Sequence, residues 1–289
     1  MVEMLVVIAI IMILASIIMP ALKRAVDVAY TAACLANLNS CGAAMSMFVD
    51  DHNASFTTGV PGFYLGDNGY FANLTTYPGD AGGSYWKVRW CNDKMNLNKH
   101  PEYGGAMWPY LQNAKALMCP VFGTLAESGT EDPVNVSSPA LLGGDYKPWL
   151  NYSINEFLGT DFCGESIMIM AKVPQPSETF SFTEESCRVD PAYSESGMND
   201  TAMIVGYEPY GYKMVTNWIA AAGGNWRNVK IGPSGVGKAW DVIASYHNTP
   251  RDAPFYGKGN CVFLDGHAAS HDREDSFILA YPLRPAPKP

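Results

Sequence analysis

The chain has 289 residues, 48% of them hydrophobic and 16% charged, and its 12% of aromatic side chains cannot all stay solvated, which excludes a mainly disordered state. Its 19 basic residues stand against 28 acidic ones, a net charge of −9, which excludes a nucleic-acid binder that works by neutralising phosphates along a basic stripe. The length suits one large domain or two smaller ones.

The apolar residues are gathered at one end. From Met4 to Met19 only Ser16 is polar, and a helix from Glu3 to Leu22 would be about 30 Å long, enough to span a bilayer core. Lys23 and Arg24 close the run. A cleavable signal would show basic residues first and a small-x-small site afterwards, and neither stands in that order. Glu3 is out of place in a plain anchor, because a carboxylate in hydrocarbon costs about 3 kcal/mol. Pro20 lacks an amide hydrogen, so a kink or local melting of the helix is expected there.

Beyond residue 22 the pattern turns amphipathic. Cys34, Leu38, Cys41, Met45 and Phe48 recur at alternating spacings of four and three, one stripe of a helix, and Leu22, Val26, Ala29 and Ala33 lead into it. Asp27, Asn37, Asn39 and Asp50 fall off the stripe. A helix from Glu3 to about Asp50 would be roughly 70 Å long. The expected division is a membrane or filament-core helix over 1–22, its amphipathic continuation over 23–55, and a head over 56–289.

The segment VEMLVVIAIIMILASIIMPALKRA resembles the start of type IV pilins and of type II secretion pseudopilins. Glu3, the apolar run and Pro20, seventeen residues after the glutamate, carry the likeness, which covers residues 1–50. Met1 and Val2 stand where the family has four residues before its glutamate, so N-methylation and the mature amino end are not assigned. The resemblance implies that Glu3 pairs with the amino terminus of a neighbouring subunit and that Pro20 belongs to the assembly segment. It also implies a helical homopolymer as the chief partner, with the membrane, an inner-membrane assembly platform and a prepilin peptidase before it.

After Asp50, Asp51 and His52 the chain breaks into short apolar runs between Gly, Pro and Asn. A short helix is expected over 106–112, and strands over 117–121, 179–183, 203–207 and 261–264. The closing LRPAPKP is expected to be extended and exposed. Four pieces, MWPYLQNAKALMCP, NYSINEFLG, KVPQPSETFSFTEES and GNCVFLDGHA, resemble the large pilin-like proteins of planctomycete- and verrucomicrobia-type bacteria. Their last domain is named for a histidine, nine residues and Asp-Gly. His247 and Asp265-Gly266 would fill those places, with seventeen residues between them.

VFLDGHAAS reads as a hairpin whose Asp265-Gly266 supplies positive φ angles. Asp265, His267 and His271 are the weak metal candidates; the spacing of the two histidines suits a helix better than a strand leaving a hairpin. GPSGVGKA has phosphate-loop spacing, but Ala239 stands where a Mg²⁺ ligand is needed, so a solvent loop is expected. Glu184-Glu185 and Asp50-Asp51 are adjacent, diverge on any regular element, and are expected to be solvated or capping pairs. The asparagines of five N-x-S/T sequons, Asn53, Asn73, Asn135, Asn151 and Asn199, read as surface residues.

The seven cysteines are too scattered for a zinc motif, and no C-x₂-C occurs. Cys34 and Cys41 are about 10 Å apart along one helix and cannot bond each other. Each must find a partner among Cys91, Cys119, Cys163, Cys187 and Cys261 or remain a buried thiol, and at least one helix–head disulfide is expected.

The sequence thus predicts an α+β protein, a long helix packed against a head with an antiparallel sheet. The reading it favours is a structural subunit of a type IV pilus-like filament. The alternatives are a minor pseudopilin of a secretion system and a membrane-anchored surface-binding protein that does not polymerise. No enzymatic activity, cofactor or resident metal is expected. The expected location is the inner membrane and then an extracellular filament or the cell surface, or the periplasm for a pseudopilin.

Overall fold

The structure, a computed structural model, describes residues 2–57, 90–91, 104–123, 150–159, 167, 169–186, 192–194, 201–206, 213–249 and 256–282. Helix α1 (Val2–Asp51) is continuous through Pro20. The expected melting does not occur, because one missing donor costs about 3 kcal/mol and the bonded turns on both sides carry the helix past it. The helix stops where Asn53 and Ala54 enter the left-handed region at φ 54° and 63° and the Ala54 N–H donates to Val49 O.

Among the described residues five strands form one sheet: β1 (Tyr152–Asn155), β2 (Phe180–Glu184), β3 (Ala202–Met203), β4 (Lys258–Phe263) and β5 (Ala268–Asp272), in the order β3-β1-β2-β4-β5. Every pairing is antiparallel except β1 with β3, which is parallel, so the sheet is mixed at that edge. The fold is therefore α+β, a long helix on a sheet. Two of the expected strands coincide closely with β2 and β4. The apolar run from Leu117 to Val121 is instead a 3₁₀ turn (Ala114–Leu117) followed by a helical turn, because Asn113 caps it by accepting from Lys115 N and Pro120 opens the next turn. The expected strand at 203 shortens to β3; residues 204–206 leave the ladder, and Ile204 N donates to the Asp241 carboxylate instead.

Both faces of the sheet are covered, so the strands are buried on two sides. Tyr152, Ile154, Phe182, Val262 and Leu264 face the cluster that holds the end of α1, together with short helix α2 (Trp108–Leu111). Phe180, Met203, Cys261 and Phe263 face a second cluster with Val215 and Trp218 of α3 (Lys213–Ala221) and Phe277 of α4 (Ser276–Ala280). Phe180 and Phe182 reach opposite faces although two residues apart, because the β2–β4 register shifts between them. The closing tail, beyond residue 282, lies outside the described residues.

Candidate functional site

The two halves of α1 present different surfaces. From Val2 to Val28 every residue is exposed, including Glu3 and Pro20, and the segment is long and apolar enough to cross a membrane. Leu22, Val26 and Ala29, which the period places at the head of the stripe, are exposed with the rest. The head simply does not reach them. Docking begins at Thr31 and becomes complete at Cys34.

From there Cys34, Leu38, Cys41, Met45 and Phe48 are all buried, and Gly42, Ala44 and Val49 are buried beside them. Gly42 is the close-approach point: a Cβ there would lie 2.8 Å from Val262 Cγ2 on β4. Phe48 stacks on His52 at 3.9 Å and meets Tyr110 edge-on at 6.1 Å. Off the stripe, Asn37 Nδ2 donates to Met118 O at 3.0 Å, and the Tyr110 hydroxyl donates to the Asp51 carboxylate at 2.9 Å. Asp50 and Asp51 are exposed, as a solvated pair should be.

Cys34 is bonded to Cys119, with Cα atoms 5.0 Å apart, and the bond staples helix to head across 85 residues of sequence. Cys41 and Cys261 are buried thiols, and Cys91 is buried too. Burial holds the Cys261 thiol at about 12, so it packs as a small apolar group rather than reacting. Cys163 and Cys187 lie outside the described residues.

Around this disulfide the structure gathers two more donors that the sequence leaves far apart. Glu184 and His247 are fully enclosed, and one donor atom from each of Cys34, Cys119, Glu184 and His247 lies within 4.8 Å of the other three. His247 Nε2 is 2.9 Å from Glu184 Oε1 and 3.5 Å from Cys119 Sγ. Glu184 Oε2 accepts the Asn260 N–H at 2.8 Å. On the far side of the imidazole, Nδ1 is 3.1 Å from Thr31 Oγ1, and the Thr31 hydroxyl donates to Asp27 O at 2.9 Å. With its only hydrogen used on that carbonyl, Thr31 accepts, so Nδ1 carries a proton. Nε2 then faces the Glu184 carboxylate oxygen and the Cys119 sulfur. Tyr152 borders the site, its phenol pushed well up by burial and then by Glu184 and Cys41.

The expectation for Glu184-Glu185 is overturned. Both are buried, and they do diverge: Glu184 lies on the helix side of the sheet, while Glu185 accepts from the Ser153 hydroxyl. A carboxylate in the apolar alternation FSFTE is the signal that was available, because a buried charge demands a partner. Asn151 is likewise a buried residue rather than a surface sequon, its Oδ1 accepting the Cys119 N–H at 2.6 Å. Asn53 is exposed, and Asn73, Asn135 and Asn199 lie outside the described residues.

The hairpin at Asp265-Gly266 joins β4 to β5 with Gly266 N donating to Phe263 O and Phe263 N to His267 O. Gly266 alone of the pair has positive φ, 93°; Asp265 does not. The turn is thus a three-residue loop with a left-handed glycine, in place of a two-residue turn with both residues left-handed. Asp265 Oδ1 takes hydrogen bonds from His267 N at 3.2 Å and from His267 Nδ1 at 2.6 Å. Burial would raise its carboxyl, but these bonds prevail and hold it below its usual value. His271 sits on β5 against the edge of Phe263, 5.4 Å between ring centres, and burial lowers its pKa. Asp265, His267 and His271 are not among the clustered donors found in the described residues. His247 bridges to Lys258 at the start of β4, so the length of that strand separates it from Asp265-Gly266. GPSGVGKA forms a closed loop in which Gly232 N donates to Gly237 O at 2.8 Å.

No family model matches the chain, and no curated protein or solved structure matches it either.

Proposed function

We propose that the chain is a structural subunit of a type IV pilus-like filament that polymerises through the first half of α1. One observation carries this reading: the helix is apolar on all sides from Met4 to Met19, uncovered throughout, and carries a single acid, Glu3, at its base. A lone anchor needs the apolar surface but not the carboxylate. A helix packed among copies of itself can use both, because the apolar surface fills a common core and a carboxylate meets a neighbour's amino group. Such a pair tolerates little displacement and would set the axial step between subunits. The head, docked on the second half, would coat the outside, and the reading assigns it no catalysis. Before assembly the subunit would be held in the inner membrane, with an assembly platform and a prepilin peptidase as partners.

The test is Glu3→Gln in cells, followed by negative-stain microscopy of sheared surface material. The head should stay folded and the chain should stay in the membrane, while filaments become scarce or lose helical order. Filaments of normal abundance and order from this variant would remove the amine-pairing role. A wild-type chain that is membrane-held and yields no filament would favour an anchored surface-binding protein, and filaments confined to a secretion apparatus would favour a minor pseudopilin.

A further inference from the structure

The four donors behind the helix come from four separate parts of the chain: Cys34 from α1, Cys119 from the turn after residue 117, Glu184 from the end of β2 and His247 from the segment before β4. A disulfide needs none of the other two. It is uncharged, and an imidazole–carboxylate pair buried against it adds desolvation that apolar side chains would avoid. The orientation of the pair is also specific. Thr31 and the Asp27 carbonyl fix the proton on Nδ1, and the Asn260 amide holds Oε2, so Nε2 and Oε1 are both turned toward the sulfurs. Outer hydrogen bonds that fix the far side of a histidine and a carboxylate are what metal ligands carry.

We propose that the chain with Cys34 and Cys119 reduced binds one zinc ion through Cys34 Sγ, Cys119 Sγ, His247 Nε2 and Glu184 Oε1, and that the disulfide is the alternative clasp at the same point. Tetrahedral bonds of about 2.0 Å to nitrogen and oxygen and about 2.3 Å to sulfur put ligand atoms roughly 3.3–3.8 Å apart, and the four donors already lie within 4.8 Å. Two thiolates and an imidazole exclude calcium and magnesium, which take oxygen, and an enclosed four-donor set with no open position is that of a structural zinc. In exchange between the two states, the thiolates pass two electrons to an incoming small-molecule or protein disulfide. That disulfide takes two protons from water and leaves as two thiols, Cys34 and Cys119 join, and Zn²⁺ departs as the hydrated ion. The helix is thus clasped to the head before and after oxidation, whether or not the chain polymerises.

The experiment uses the full chain in detergent, reduced with a phosphine under argon and titrated with Co²⁺ and then Zn²⁺. One equivalent of Co²⁺ should give intense tetrahedral ligand-field bands with sulfur-to-cobalt charge transfer, and Zn²⁺ should displace it. Zinc-edge absorption fine structure of the wild-type chain should fit two sulfurs and two nitrogen or oxygen neighbours. The unreduced chain should bind neither ion at this site. His247→Gln and Glu184→Gln should each weaken Zn²⁺ binding by at least about 100-fold, and Thr31→Ala by about 10-fold because the His247 ring loses the hydroxyl that orients it, with circular dichroism reporting the fold. Weak octahedral bands, a shell without sulfur, or Zn²⁺ affinity unchanged in a folded His247→Gln chain would each overturn the proposal. The wild-type spectra decide the question even if a variant fails to fold.

Discussion

The apolar residues in the two halves of α1 are of the same kinds and differ in what covers them. Leu14 and Leu38 are both leucines in the middle of a helical turn, yet one is 54% exposed and the other fully buried. Apolar residues on every side of a helix cannot be satisfied by a single sheet face, so the first half is left for a bilayer or for other helices. Apolar residues on one stripe can be, and the second half meets β4 and β2. The contrast teaches that the helix joins two environments, and that stability of the head should be sensitive to one half of it and indifferent to the other.

The largest expected effect breaks the docked half. Phe48→Ala should destabilise the head by about 3–5 kcal/mol and Leu38→Ala by about 2–5 kcal/mol, while Leu14→Ala leaves it unchanged. Chemical denaturation of the full chain in detergent, followed by tryptophan fluorescence, measures all three, and equal effects from Leu14 and Leu38 would erase the distinction. Next comes the clasp. Cys119→Ser in the oxidised, metal-free chain should cost about 2–4 kcal/mol, the usual range for loss of a disulfide, read in the same denaturation. Gly42→Ala, which drives a methyl group into Val262, should cost about 1–3 kcal/mol by overpacking, whereas Ala15→Val on the uncovered half should cost the head nothing. The smallest effect lies at the exposed turn of the hairpin between β4 and β5. Because the folded carboxyl of Asp265 titrates below its unfolded value, its contribution is present above the unfolded pKa and is lost as pH falls through the folded one. Asp265→Asn should flatten that acid limb of the stability curve by a small amount and leave the neutral region nearly unchanged.

The helix and its stripe were legible because a 3.6-residue period is local information. Cys34, Leu38, Cys41, Met45 and Phe48 could be read off without knowing what they would touch. Where the stripe begins to be covered could not, since that depends on how far the head extends: Leu22, Val26 and Ala29 lead into the stripe by period and stay exposed. The same limit explains the misread run at Leu117–Val121, where an asparagine cap and a proline outweigh a short apolar stretch. The cluster at His247 was out of reach for a different reason. Its successive members are separated by 63 to 85 residues along the chain, and no spacing rule connects donors that only a sheet and a helix bring together. Glu184 left one trace, a carboxylate closing the alternating strand FSFTE, and Gly42 left another, a glycine inside a helix.

The position of the Cys34–Cys119 bond has a mechanical consequence. Cys34 is the first fully buried residue met on travelling down α1 from its exposed half. Any pull on that half, from a bilayer or from neighbouring helices, enters the head at this point. A helix held to a surface by noncovalent contacts fails by peeling, one turn at a time, from the end where the load arrives. A covalent link at the leading edge of the contact blocks the first step of that peel, so the load must shear the whole stripe from Leu38 to Phe48 at once or break a covalent bond. The same link placed near Phe48 would leave the seam free to unzip almost to its end.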